Sequence, residues 1–540
     1  MEKRALLAVV LSLLVLFLYQ YIIEKSRKTP IDTRPPKSDI VLPDQKETID
    51  FGQEEETFRE VRDGKPFIKR QEIIGEERDI SVITELYEAV FTNHGAKLKS
   101  WKLRKYKDKT GQDAHEIELI AAQKSKEYSL GLVLSKTDYL DLNEAVFETD
   151  SNSMSLMEAW EQGSISFSWT SPEGIEVIKK FTFYADRYLV DIDISIANLS
   201  DMRLKENTIF SWKRELDPKK GGDRFSFTGP VSLINGELEE IKVKKIKEDM
   251  LYSGEIKWAG YGDKYFISSI IPKKTQNTRL RISKSSTDVI SVDIIEPIEL
   301  NYGEKAKYGY SLYCGPKDID ILKAVGADLQ KALNFGWFDM IAKPLLLFLK
   351  FINGITNNYG VAIILLTVVI KIVFFPLTHH SYKSMKDMQK VQPLMAKLKK
   401  KYKDDKEKLN REIMALYRTH KVNPLSGCLP MILQIPVFFA LYKALMGSIE
   451  LRHAPFIFWI KDLSAKDPSY ITPVLMGASM FIQQKMTPTM GDPMQAKVML
   501  AMPIIFTFMF LNFPSGLVIY WLVNNILSIG QQLYINKYTA

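Results

Sequence analysis

The chain is short of the residues from which covalent staples and catalytic centres are built. Its 540 residues include two cysteines, Cys314 and Cys428. They lie far apart on segments of different character, so they supply neither a disulfide framework nor a metal-ligand spacing. The polar middle of the chain holds no nucleophile elbow, no metal motif, no phosphate-cradling loop and no internal repeat. No cofactor and no enzymatic activity are expected. The most informative absence is in the last third. Five apolar segments occur there, 357–378, 429–446, 470–484, 498–513 and 517–535, and none contains Asp or Glu. Intramembrane proton relays are built from such acids, so a proton-coupled pump fits poorly.

What is present is sharply divided. The mean hydropathy of −0.11 averages an apolar beginning, a polar middle and an apolar end. The net charge of +8 is concentrated in one stretch near the C-terminus, which points to membrane topology before nucleic acid. Residues 1–23 read as an uncleaved transmembrane anchor. Bulky YQYII follows its apolar run where a signal peptide would place small residues. Residues 24–56, rich in Pro, Lys, Asp and Glu, read as a disordered tether.

From residue 57 the pattern changes to short apolar-polar alternations bounded by Gly, Pro, Asn and Ser. The run from Leu189, LVDIDISI, swaps character with period two, which predicts a half-buried strand. Asp191 and Asp193 then lie on its solvated face and are not a catalytic pair. Many such strands predict a β-sandwich, followed by a helix over 321–333. The assigned β domain with its C-terminal helix is 57–336. Residues 337–356 predict an amphipathic helix lying in the membrane interface, with Lys343 and Lys350 on one face.

Residues 357–378 are long and apolar enough to span a bilayer, yet contain Lys371. An ammonium at that depth costs about 3 kcal/mol on insertion scales. Thr367, one turn earlier, shares its face. Residues 379–424 follow as a basic helical hairpin, and so short and positive a loop belongs in the cytoplasm. Residues 425–540 supply four more spans, the last two divided by the turn Pro514-Ser-Gly516. Six spans place both termini in the cytoplasm and the β domain across the membrane.

No carboxylate is at hand for Lys371. Uncharged polar residues are: Gln434, Gln483, Gln484, and a stripe of Trp521, Asn524, Ser528 and Gln531 on one face of the last helix. These predict a hydrated, positively charged cavity, against the simpler reading that Lys371 snorkels to the interface. Phe438, Phe506, Phe508 and Phe510, with nearby methionines, offer an adaptable apolar surface, or plain lipid-facing bulk.

Three stretches carry a family resemblance. They are NYGVAIILLTVVIKIVFFPLT from Asn358, NPLSGCLPMILQIPVFFALYKAL from Asn423 and DPMQAKVMLAMPIIFTFMFLNFPSGLVIYW from Asp492. They resemble the insertase family that includes YidC and the mitochondrial and chloroplast oxidase-assembly proteins. WAGYGDKYFISSIIP from Trp258 resembles the periplasmic domain of its long Gram-negative form. The resemblance implies a polytopic α-helical inner-membrane protein, an anchor plus a five-helix core, with an all-β periplasmic supersandwich. It implies insertion, folding and assembly of nascent inner-membrane proteins, alone or beside the Sec translocon, with ribosome and lipids as further partners. It implies a hydrophilic groove whose basic residue, usually arginine, is here Lys371. Lysine keeps the charge but loses the bidentate fork. The family's groove threonine falls on Thr367 and its aromatic partner on Trp521. Gln434 and Asn524 complete the expected substrate-binding set, and Phe438, Phe506, Phe508 and Phe510 the expected slide for client helices. The alternatives are a solute channel or transporter, and a tethered carbohydrate-active β domain, which would need an acid/base pair that the sequence does not show. No specific nucleic acid is expected, since the hairpin charges suit anionic lipid and the ribosome surface.

Overall fold

The computed structural model describes residues 76–538 except 122–124, 136–140, 217–225, 404, 421, 423–428 and 487–492; the side chains of 121, 406, 429–433, 493–498 and 538 are likewise outside the description. The expected anchor, the tether, residues 57–75 and Cys428 therefore lie outside the described residues. Everything below except residues 493–498 belongs to one compact unit, Ile74–Met490 with Met499–Ala540.

Strands between Asp79 and Pro316 form one sheet of nine strands and two of five. Period-two alternation builds the nine-stranded sheet. In strand Leu189–Asn198, Val190, Ile192, Ile194 and Ile196 are buried. Asp191 and Asp193 alternate with them and each lies 3.6 Å from Lys273. Ile192 stands opposite Phe181 on one neighbouring strand and Tyr310 on the other. A slip of one residue would turn this whole apolar set outward. Aromatic pairs tie the layers together. Phe91 of one five-stranded sheet lies 4.9 Å from Phe181, and Phe210 of the other stacks on Tyr310 at 4.7 Å. Such pairs add about 1 kcal/mol each beyond their burial.

Lys97, Lys179 and Lys317 are buried in this domain. Lys179 is fully buried. Its Nζ donates to the carbonyls of Gly95 at 2.8 Å, Leu130 at 3.0 Å and Ala96 at 3.3 Å. Three donors meet three acceptors, so the ammonium ties two loops to the sheet. Burial first, and the charge of Lys97 second, push its pKa down to about 7.

A short helix follows, α1 (Ile319–Val325), capped by the Asp318 carboxylate on the amides of Asp320 and Ile321. The helix expected over 321–333 is broken here. Gly326, Ala327 and Asp328 take φ of 84°, 48° and 57° in succession, and a separate 3-10 turn follows at Leu329–Ala332. The break carries the Asp328 carboxylate to Lys257, 2.8 Å away. Next comes α2 (Asp339–Thr356), whose outer face leaves Met340, Phe351 and Ile355 exposed.

The expected span is the start of a longer element. Helix α3 runs without interruption over Tyr359–Lys401, 43 residues, or about 65 Å. A bilayer core is about 30 Å thick, so its basic second half projects beyond the apolar layer. Among the described residues it is the one helix long and apolar enough to cross a membrane by length and composition. The second arm, α4 (Lys406–Thr419), is capped by Asp405 on the amide of Lys408. Glu407 is the second residue of this helix, one position short of the place from which a glutamate closes a capping box.

Helices α5 (Leu429–Gly447), α6 (Ile471–Met486), α7 (Pro493–Phe510) and α8 (Ser515–Tyr538) complete the bundle. Asp467 precedes α6 and accepts from the amides and hydroxyls of Ser469 and Thr472. Ser515 starts α8 by donating amide and hydroxyl to the Ala465 carbonyl.

Sandwich and bundle meet through charge. Lys350 on α2 lies 3.0 Å from Asp318, 2.5 Å from Asp320 and 3.3 Å from Glu450 in the loop after α5. Burial disfavours its ammonium, but these carboxylates outweigh burial and raise its pKa. From the same loop Arg452 donates to the carbonyls of Lys107 and Asp108 and lies over Tyr265 and Phe266.

Candidate functional site

The bundle changes character along its length. Near the sandwich, Ala362, Ile363 and Leu366 of α3 pack with Leu517, Val518, Ile519 and Tyr520 of α8, together with Leu441, Leu445, Leu451 and Met476. Ile363 reaches within 3.2 Å of where a side chain on Gly516 would begin, so any larger residue there would have to push Ile363 aside by a few tenths of an ångström.

Beyond this plug the facing residues become polar. Thr367 is fully buried, and its hydroxyl bonds back to the Ile363 carbonyl at 2.6 Å. Lys371 donates from Nζ to Ser528 Oγ at 2.7 Å. Ser528 in turn donates to the Asn524 carbonyl at 2.7 Å. The Tyr382 hydroxyl lies beside both Ser528 and Gln483. Gln531 donates to Thr378 Oγ1 at 2.6 Å. A second polar line on α8 faces α6: Asn525 donates to Ser479 at 3.0 Å and Gln532 to the Met486 carbonyl at 2.9 Å. Contacts advance in step along α3, α6 and α8, so these three helices run parallel. Among the described residues Lys371 makes this one hydrogen bond and no ion pair.

The residues expected at the site divide into two groups. Lys371, Thr367 and Asn524 line the seam between α3 and α8. Gln434 on α5 is half-buried and lies beside the Tyr520 hydroxyl, nearer the plug. Trp521 sits in an aromatic group, 4.7 Å from Phe438, 5.2 Å from Phe510 and 6.1 Å from Phe506. Its indole is too large for the polar seam and finds π-faces instead. Phe510 is buried within this group, whereas Phe508 is exposed on the opposite side of α7 with Ile504 and Ile505. The expected slide therefore comprises one interior wall, Phe438, Phe506 and Phe510, and one outer residue, Phe508.

Two seam residues, Thr378 and Tyr382, were not anticipated. The signal was present, since positions 7 and 11 after Lys371 fall on its helix face. Ser528 was visible in the stripe, but its contact with Lys371 was not.

A β-sandwich joined by an amphipathic helix to an apolar bundle whose polar seam holds the half-buried Lys371 defines a polytopic α-helical membrane protein. Among the described residues no cluster of three His, Cys, Asp or Glu could hold a metal. The comparisons agree with this class. The family model for the 60Kd inner membrane protein matches residues 351–540, and that for the YidC periplasmic domain matches 79–348. A "Membrane protein insertase YidC" of Syntrophus aciditrophicus is 45% identical over 99% of this chain and 100% of its own length. One of Geotalea uraniireducens is 46% identical over 99% of each chain. A solved active YidC insertase with its first transmembrane domain resolved aligns over 88% of this chain and 95% of its own, at 19% identity and a TM-score of 0.36. The chain belongs to the YidC membrane protein insertase family. It is a membrane protein insertase of the bacterial inner membrane, its sandwich domain is periplasmic, and its clients are nascent membrane proteins.

Proposed function

We propose that the clients pass through a hydrated groove between α3, α5 and α8, closed toward the periplasm and open to cytoplasm and lipid, whose one fixed charge is Lys371. The apolar plug beside the sandwich supports closure at that end. The parallel run of α3, α6 and α8 supports a core that crosses the membrane with each successive helix. With an N-terminal anchor at 1–23, a tether at 24–56 and helix 1 of six spans in that anchor, both termini lie in the cytoplasm. The basic arm 379–424 meets the ribosome and anionic lipid there. Segment 337–356 lies in the outer interface, and 425–540 carries the last four spans.

An acidic client tail enters the seam, attracted by Lys371 and solvated by Thr367, Gln434 and Asn524. Its apolar helix then moves into lipid past the Trp521 wall of Phe438, Phe506 and Phe510 and the outer Phe508. Hydrophobic transfer and membrane potential supply the drive. The same surface serves as a chaperone for clients delivered by the Sec translocon. One observation carries this reading: Lys371 is taken out of bulk water with a neutral hydroxyl as its partner. The test is complementation of insertase-depleted cells with Lys371→Ala, Lys371→Glu and Lys371→Arg, scored by insertion of a single-span client with an acidic tail. Arg should retain insertion and Ala and Glu should lose it. Equal activity of all three would remove Lys371 from the mechanism.

A further inference from the structure

Ser528 occupies an unusual position beside Lys371. Its hydroxyl has one donor and two acceptor sites. The donor is committed to the Asn524 carbonyl, one helical turn back, at 2.7 Å. That bond turns the lone pairs outward, where the Lys371 ammonium meets one at 2.7 Å and the Tyr382 hydroxyl lies alongside. The serine is buried, so its rotation is restricted by packing as well as by this bond. A carboxylate in its place would neutralise the lysine permanently. An apolar residue would leave the ammonium without its resting acceptor. A hydroxyl does neither: it satisfies one N–H and leaves the charge intact.

We propose that Ser528 is a positioning residue, a neutral placeholder that holds the Lys371 ammonium toward the seam and yields it to a client carboxylate. This rests on the reading of Lys371 given above and deepens it. Exchange is downhill because a client carboxylate adds the attraction of an opposite charge, which the uncharged hydroxyl cannot supply to the ammonium. It is reversible because the hydroxyl is ready to take the ammonium back when the client leaves. The specificity that follows is for clients carrying Asp or Glu in the translocated tail.

The experiment uses the full chain in insertase-depleted cells and two versions of one single-span client, with an acidic tail or with that tail's acids changed to Asn and Gln. Ser528→Asp should reduce insertion of the acidic client at least ten-fold, to the level of Lys371→Ala, while the neutral client stays within two-fold of wild type. Ser528→Ala, a milder change, should raise the ratio of acidic to neutral insertion about three-fold, because the client no longer competes with a resident acceptor. Ser528→Thr keeps the hydroxyl and should behave as wild type. A purely structural serine would move both clients together, and that result in Ser528→Ala overturns the proposal even if Ser528→Asp fails to accumulate. The two readings separate cleanly. If Lys371→Ala inserts the acidic client normally, the role of Lys371 itself is wrong. If Lys371→Ala fails but the Ser528 variants leave the ratio unchanged, the placeholder alone is wrong.

Discussion

Lys179 in the sandwich is fully buried and Lys371 in the bundle is half-buried, and the two are treated in opposite ways. Lys179 in the sandwich gives all three donors to backbone carbonyls. Lys371 in the bundle gives one to a serine hydroxyl. The first is saturated and has nothing left to bind. The second retains charge and unused donors, and its neighbours on α8 are side chains that can rearrange. Burial alone does not mark a functional cation; the number and rigidity of its partners do. Lys350, at the junction, is a third case, matched by three carboxylates and serving as a joint.

Replacing each lysine should separate these roles. The largest effect belongs to Lys371→Met: at least a ten-fold loss in insertion of an acidic-tailed client. Its stability in detergent should stay within about 2 kcal/mol of wild type, because one hydrogen bond from an ammonium is lost. Lys179→Met should do the reverse. Three buried carbonyls lose their donor, for about 3 kcal/mol of destabilisation, while the protein that remains folded keeps its preference for acidic over neutral clients. Unfolding can be followed by tryptophan fluorescence, since Trp101, Trp212 and Trp258 are buried in the sandwich. Loss of client preference in Lys179→Met would break the comparison. Lys350→Ala leaves Glu450, only 6% exposed at its side chain, without its cation, and should cost about 2 kcal/mol. Faster proteolysis at the junction between sandwich and bundle would report it.

The smallest effect is a pH slope. Lys179 is held near pKa 7 in the fold, against about 10.4 unfolded. Between those values the unfolded chain binds more protons, so sandwich stability should rise with pH by up to about 1.4 kcal/mol per unit and level off below pH 7. The slope should vanish in Lys179→Met; an unchanged slope would assign it to another group.

Local pattern made much of this legible in the sequence. The alternation from Leu189 to Ile196 gave a strand with its buried side, and the polar stripe on the last helix gave the face that meets Lys371. Properties set by distant contacts were not legible. Nothing in the local sequence places Lys179 under Gly95 and Leu130, or Lys350 against Glu450 a hundred residues away. Trp521 was assigned to the polar seam by its spacing, but its size sends it to Phe438 and Phe510. The turn that breaks 321–333 begins locally at Gly326, but the meeting of Asp328 with Lys257 is again set by a distant partner.

The central claim is that the Lys371 ammonium contacts a client carboxylate in transit. A carbodiimide joins an amine to a carboxylate only when the two touch. It should be applied to membranes in which ribosome-bound clients with an acidic tail are stalled during insertion, and the joined peptides located by mass spectrometry. The account predicts an amide between Lys371 and an Asp or Glu of the client tail, lost in Lys371→Arg and strongly reduced in Ser528→Asp. Client links confined to the lysines of the basic arm, with none at Lys371 while insertion proceeds, would contradict it.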